Sequence, residues 1–460
     1  MLSSSGTKKG RLGLLACTAL VVGNMIGSGV FLLPASLAPY GPMALAGWIV
    51  TAIGAIALAI VFGRLARLVP KTGGPYAYTR AGFGEFAGFL IAWGYWIALW
   101  AGNAGVAVAF TGYVGHFVPG AASGLPGLAV GLTALWALTL VNIRGVGIAG
   151  IVQVATTVLK LLPLLALVVA GLAAVDGSRF TPLNPSGLDP VAAIAACSAL
   201  TLWAFLGLES ATVPAGDVAN PGRTIPLATV LGTSFAAALY ILVTIVAFGT
   251  VQPAVLGAST APLALVAEQL WGPVGGSAIA IGAIVSTFGT LNGFTLLSGQ
   301  VPFGAARDGT FPAFLGEASP AGTPVNALIV SSLLSSILIA MNGSRDLVEQ
   351  FTFIILLATL TSLVPYIFCA LVELVLYATD PIRYRPPPRI GGLVALATIA
   401  FLFSIGAIYG AGAEVVFWGF LLLMSGLPVF VWIKRHNLTA RAAPSLRHQA
   451  PASPSFKETH

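Results

Sequence analysis

Apolar runs of bilayer-crossing length recur from residue 12 almost to the end of this chain. Crossing about 30 Å of hydrocarbon takes roughly 17–25 helical residues. Twelve segments meet that requirement: 12–37, 40–66, 85–115, 124–143, 147–174, 191–214, 225–250, 274–301, 324–341, 350–377, 391–410 and 413–433. They lack the two-residue alternation of a lipid-facing strand, which excludes a transmembrane barrel. Of the 460 residues, 57% are hydrophobic and 8% charged, too little charge to clothe a soluble domain of this length. The expectation is an all-α, polytopic membrane protein with twelve transmembrane helices. The last two are divided only by the slight break at Tyr409-Gly410-Ala411-Gly412.

The 21 Lys and Arg set the orientation. Lys8, Lys9 and Arg11 precede the first span, Arg64, Arg67, Lys71 and Arg80 cluster around the end of the second, and Arg144, Arg223 and Arg307 follow the fourth, sixth and eighth. Arg383, Arg385 and Arg389 follow the tenth, Lys434 and Arg435 the twelfth, and only Arg179 and Arg345 fall on the other side. Positive charge concentrates in cytoplasmic loops, so both termini are expected in the cytoplasm. Residues 1–11 form a cytoplasmic N-terminal segment, and 434–460 a disordered cytoplasmic tail. The basic, apolar start resembles a signal peptide, but eleven further spans follow it. The net charge of +7 is explained by this loop asymmetry and calls for no nucleic acid. Cys17, Cys197 and Cys369 all lie in apolar spans without metal or redox spacing, so packed thiols are expected, with no metal and no cofactor.

The first span contains "VVGNMIGSGVFLLPA" (residues 21–35), where Gly27-Ser28-Gly29 interrupts a membrane helix and Pro34 follows. The sixth span, "LTLWAFLGLESATVPAG", echoes it: Gly207 precedes Pro214 by the same seven residues that separate Gly27 from Pro34. The two spans run in opposite directions. This predicts an inverted repeat of five helices each, 12–174 and 191–377, with discontinuous helices 1 and 6 and two additional C-terminal helices over 391–433. A helix broken at mid-membrane leaves amides and carbonyls without partners, and they must face protein, water or ligand. The half-helix starting near Ser28 and Gly29 offers amides to a carboxylate. The half-helix ends before Gly27 and Gly207 offer carbonyls to an ammonium, and an α-amino acid carries both groups. The alternative is that these glycines serve close helix packing.

At these residues the chain resembles the amino acid–polyamine–organocation transporter superfamily, over roughly residues 11–435. The resemblance rests on "GNMIGSGVFLLPA", "PKTGGPYAYTRAGFG", "GYWIALWAGN", "LWAFLGLES", "LLSGQ", "RDGTFP" and "LVPY". It is nearest the bacterial exchangers of arginine with agmatine, lysine with cadaverine and putrescine with ornithine. It implies sodium-independent exchange through twelve helices in a bacterial inner membrane, by proteins many of which form homodimers. It further implies that the amides of Ser28 and Gly29 hold the substrate carboxylate. Carbonyls near Met25 and Leu206 would hold its ammonium, and Trp203 would lie against it as a middle gate. Asn24 matches an asparagine near the site, Ala98, Leu99 and Asn103 match positions lining the side-chain pocket, and Tyr95, Glu209 and Tyr366 match an outer gating cluster. Independently of the resemblance, Tyr95, Ala98, Leu99, Gly102, Asn103 and Val106 share one helical face. That face suits either a lined cavity or a tight helix contact.

Two ionisable residues, Glu209 and Lys160, are expected within the spans, where charge is functional by default. Glu209 follows the Gly207 break and is a candidate for gating and proton coupling, or a carboxylate paired structurally with a tyrosine. Lys160 resembles a fifth-helix lysine of proton-coupled superfamily members. Its ammonium can bridge carbonyls of the first span and a hydroxyl of the eighth such as Ser286, Thr287 or Thr290, and losing its proton would loosen that bridge. The alternative, snorkelling to an interface, is strained by its depth in the span.

Some positions depart from the arginine/agmatine pattern. Phe294 stands where that group stacks a tryptophan on the substrate stem, Ala358 replaces a serine near the guanidinium, and Val106 replaces a methionine. A phenyl ring retains a cation–π contact, but Ala358 removes one orienting contact for a forked cation. The leading expectation is sodium-independent exchange of a cationic amino acid such as arginine for its decarboxylated amine such as agmatine. The alternative is proton-coupled uptake of neutral or broad-range amino acids. No catalytic cluster or Walker loop argues for an enzyme or an ATP-driven pump, and a transporter-like sensor would bind amino acid without moving it.

Overall fold

The computed structural model describes residues 13–69, 74–144, 160–209, 218–320, 322–384 and 390–435, and these are helical almost throughout. In chain order the helices are α1 (Leu14–Met25), α2 (Ser28–Leu37), α3 (Met43–Leu68), α4 (Pro75–Gly115) and α5 (Gly124–Arg144). They continue with α6 (Lys160–Ala174), α7 (Pro190–Leu202), α8 (Pro221–Thr250), the short α9 (Pro253–Gly257) and α10 (Pro262–Arg307). The last four are α11 (Val325–Met341), α12 (Leu347–Thr379), α13 (Gly391–Gly410) and α14 (Ala413–Arg435).

Eight of the described helices, α3, α4, α5, α8, α10, α12, α13 and α14, are each long and apolar enough to cross a bilayer. A ninth crossing is the pair α1 and α2, bent by 41° across residues 26 and 27. Helices α6, α7 and α11 are shorter apolar segments. The chain is therefore a polytopic helical membrane protein. Residues 1–11, 147–159, 210–214 and the tail from 436 onward lie outside the described residues, and with them the first half of the fifth span and Pro214.

Helices α4 and α10 run 41 and 46 residues, about twice what a 30 Å layer needs at 1.5 Å per residue. Each is kinked by a glycine in a backbone conformation closed to other residues: Gly84 (φ 84°) in α4 and Gly272 (φ 73°) in α10. The expected spans begin at 85 and 274, just past these kinks. The weak break near residue 410 is a true helix boundary, with Gly412 at φ 84° between α13 and α14.

Two groups of helices emerge from the packing. In one, α3 lies against α7 and α8, and α1 against α8. In the other, α4, α5, α10 and α11 pack pairwise on one another, and α12 lies along α4. Interhelical hydrogen bonds stitch the second group. Ser335 donates to Trp100 O (2.7 Å), Trp96 donates to Ser331 (2.8 Å), and Thr139 shares a bond with Ser332 (2.8 Å). Such bonds supply association that apolar surface cannot provide in lipid. The three cysteines are buried free thiols.

The ends of α3, α12 and α14 and the start of α4 meet at one end of the bundle, where Arg64 pairs with Glu373 and Lys434 with Glu85 (2.6 Å each). Arg67, Arg80, Arg144, Arg223, Arg307 and Arg383 sit at the corresponding helix ends. We refer to this as the basic end.

Candidate functional site

The break between α1 and α2 is the centre of the site. Helix α1 stops at Met25, Ile26 turns extended, and Gly27 precedes α2 as an N-cap without a side chain. The first-turn amides of α2 therefore have neither an intrahelical acceptor nor a side-chain cap, and every residue of α2 is buried. A Cβ on Gly27 would come within 2.8 Å of the Thr290 methyl, and one on Gly29 within 3.0 Å of the Ala204 methyl. The broken segment is held close against α10 on one side and the turn after α7 on the other.

That turn is irregular too. Helix α7 tightens into a 3-10 turn at Trp203–Phe205, after which Leu206 is extended (ψ 133°) and Gly207 takes φ 100°. The indole Nε1 of Trp203 donates to the Ser28 hydroxyl (3.2 Å). Its ring lies 5.9 Å from that of Phe294, centroid to centroid. Gly102 of α4 faces both rings: a Cβ there would lie 2.8 Å from Phe294 and 2.9 Å from Trp203. Asn103 is fully buried and donates to Thr295 of α10 (3.0 Å), leaving its Oδ1 without a partner. Thus Ser28, Gly29, Gly102, Trp203 and Phe294 converge from four segments. Met25, Ala98, Leu99, Leu206 and Ala358 are buried, and Asn24 is half-buried. Among the described residues, none of these six side chains hydrogen-bonds to Ser28, Asn103 or Trp203.

Glu209 joins two helices. Tyr95 of α4 donates to its Oε1 and Tyr366 of α12 to its Oε2, both at 3.0 Å. The cluster lies on the basic-end side of the Trp203 level. Tyr95 is seven residues nearer the basic end of α4 than Gly102, about 10 Å along the axis.

Lys160 is the first described residue of α6 and is buried. Its ammonium donates to Gly23 O (3.1 Å) and Thr290 Oγ1 (3.0 Å). It thus caps the C-terminal turn of α1, where carbonyls lack intrahelical partners and favour a cation. Thr290 is the hydroxyl used; Thr287 instead bonds back to Ala283 O (2.7 Å), and the buried Ser286 hydroxyl has no partner.

The expectation of two ionisable groups within the spans needs correction. Glu373, inside 350–377, is buried and paired with Arg64, which lies inside 40–66. Both charges were visible in the sequence; their partnership was not, because 309 residues separate them. Toward the opposite end a cavity of about 840 Å³ reaches from Arg345, Glu349 and Glu414 down to Leu200, one turn from Trp203.

A family model described as amino acid permease matches residues 12–431. The chain belongs to the amino acid permease family. Similar proteins include an arginine/ornithine antiporter of Pseudomonas aeruginosa, 32% identical over 94% of this chain and 92% of its own length. The putrescine transporter PotE of Haemophilus influenzae is 31% identical over 93% of this chain and 98% of its own. A cadaverine/lysine antiporter of Escherichia coli is 34% identical, covering 81% and 85%. All three are named as transporters or antiporters, and amino acid transport across a membrane is the activity of the family.

Proposed function

We propose that the chain exchanges a cationic amino acid for a cationic amine, without sodium, by alternating access across a bacterial inner membrane. Arginine against agmatine is one form of this exchange. The relatives pair arginine with ornithine and lysine with cadaverine by name. The observation that carries the reading is the α1–α2 break, whose uncapped α2 amides and Ser28 hydroxyl lie directly beneath Trp203.

In this reading the Ser28 and Gly29 amides receive the carboxylate, and carbonyls at Met25 and Leu206 receive the ammonium. Trp203 covers the substrate and Phe294 flanks its stem. Asn103, with its unpartnered Oδ1, meets the distal cation alongside Ala98 and Leu99. Ala358 offers no hydroxyl to a forked guanidinium, which favours a straight chain ending in ammonium. The basic end faces the cytoplasm by the positive-inside rule. Glu209 with Tyr95 and Tyr366 then closes the path on the cytoplasmic side of the substrate. Each of the repeats 12–174 and 191–377 contributes helices to both packing groups, and those groups rock against each other.

A second reading is proton-coupled uptake of neutral or broad-range amino acids, favoured by the Lys160 bonds to Gly23 and Thr290. Proteoliposome uptake separates the two. A requirement for internal cationic amino acid or diamine supports exchange. Accumulation driven by an acid-outside gradient into substrate-free vesicles supports symport and overturns exchange. A thermal-shift screen against amino acids and polyamines identifies the ligand for both.

A further inference from the structure

The basic end carries a polar closure that the substrate site does not use. Arg64, near the end of α3, donates twice to Glu373 of α12: Nε to Oε2 at 2.8 Å and Nη2 to Oε1 at 2.6 Å. The Tyr377 hydroxyl, one turn along α12, donates to the same Oε1 at 2.7 Å. The Glu373 side chain is 3% exposed and that of Arg64 36%, so the carboxylate is enclosed while the guanidinium reaches the surface.

Two parallel charge-assisted bonds are strong and directional. An enclosed carboxylate parted from its cation is costly unless water takes the cation's place. Parting the pair is therefore tolerated only where water reaches the Glu373 carboxylate. The contact also joins the two groups of helices, since α3 packs on α7 and α8 whereas α12 lies along α4. Glu373 is seven residues beyond Tyr366, about 10 Å further toward the basic end. The two polar layers are stacked along α12, and the cavity of about 840 Å³ lies toward the other end.

We propose that Arg64, Glu373 and Tyr377 form a latch holding the basic end shut, released when the α3 group swings away from α12. The proposal rests on the alternating-access reading. Cys369 lies between the two layers, buried, with its thiol 3.8 Å from both the Thr79 hydroxyl and Pro75 O. It is a native reporter of opening.

The test uses the full chain purified in lipid nanodiscs, with Cys17→Ala and Cys197→Ala leaving Cys369 as the single thiol. Its rate of reaction with a small water-soluble methanethiosulfonate is measured without substrate. Glu373→Gln and Arg64→Ala are expected to raise the rate about tenfold, the shift in open population that loss of one strong contact allows. Arg64→Lys, which keeps the charge and loses the fork, is expected to fall between. Ser335→Ala removes a hydrogen bond elsewhere and serves as a control for general loosening. Rates in Glu373→Gln and Arg64→Ala equal to the parent's overturn the latch. So does an equal rise in Ser335→Ala at a matched drop in melting temperature. Because no substrate is involved, failure here leaves the exchange assay standing, and failure of the exchange assay leaves these rates interpretable.

Discussion

Trp203 donates its indole hydrogen to the Ser28 hydroxyl across 3.2 Å, tying the 3-10 turn after α7 to the first residue of α2. The two irregular segments, 175 residues apart, thereby lock each other. While its oxygen accepts from the indole, the Ser28 hydroxyl keeps its own hydrogen to donate to a carboxylate. Ser28→Trp fills this space and is expected to weaken substrate binding at least about tenfold in calorimetric titration. Undiminished affinity would falsify the carboxylate cradle.

Gly102 provides the space in which Trp203 and Phe294 meet. Gly102→Val drives a branched side chain into both rings, and overpacking of this kind costs about 1–3 kcal/mol. Proteoliposome exchange is expected to be lost, with a modest drop in melting temperature. Parent-like exchange would place the transport path away from these rings.

Gly207 at φ 100° redirects the chain so that Glu209 reaches Tyr95 and Tyr366. Gly207→Ala forces a Cβ into a left-handed conformation, at roughly 1–2 kcal/mol. A lowered melting temperature together with slower exchange is expected. A variant as stable as the parent would show that the turn relaxes without its glycine.

Glu209→Gln preserves shape while removing the charge that both tyrosines address. Hydrogen bonds to charged groups contribute about 1.5–3 kcal/mol, so exchange is expected to slow about tenfold or more. Tyr366→Phe is expected to go the same way. If stopped-flow exchange is unchanged in both, the cluster is a static tie between α4, α12 and the turn after α7.

Lys160→Ala removes both bonds at the end of α1 and is expected to lower stability by about 2 kcal/mol, given the strength of charged hydrogen bonds. Exchange rate plotted against pH is the deciding measurement. A flattened profile assigns Lys160 to proton coupling, and a parallel profile of lower amplitude makes it a structural cap.

Much of this arrangement can be read along the chain. The apolar runs, the asymmetry of Lys and Arg, and the Gly27-Ser28-Gly29 interruption are local features, and a bilayer makes local features decisive: any backbone group there must be satisfied within its own helix or at a marked break. For the same reason Gly84 and Gly272, which bend α4 and α10, stand just before the expected spans.

What the linear pattern could not decide is who meets whom. Lys160 selects Thr290 over Thr287 and Ser286 because helix rotation turns one hydroxyl of three toward α1. Glu209 lies on the basic-end side of Trp203, and Glu373 finds Arg64 from 309 residues away. Helix formation follows from hydropathy over twenty neighbouring residues, whereas the register and facing of packed helices follow from side-chain shape across the whole bundle. The sequence alone determined that this chain crosses a membrane and breaks at Gly27; only the folded bundle decided that Trp203 bonds to Ser28 at that break and that Arg64 pairs with Glu373, because those contacts depend on how distant helices face one another.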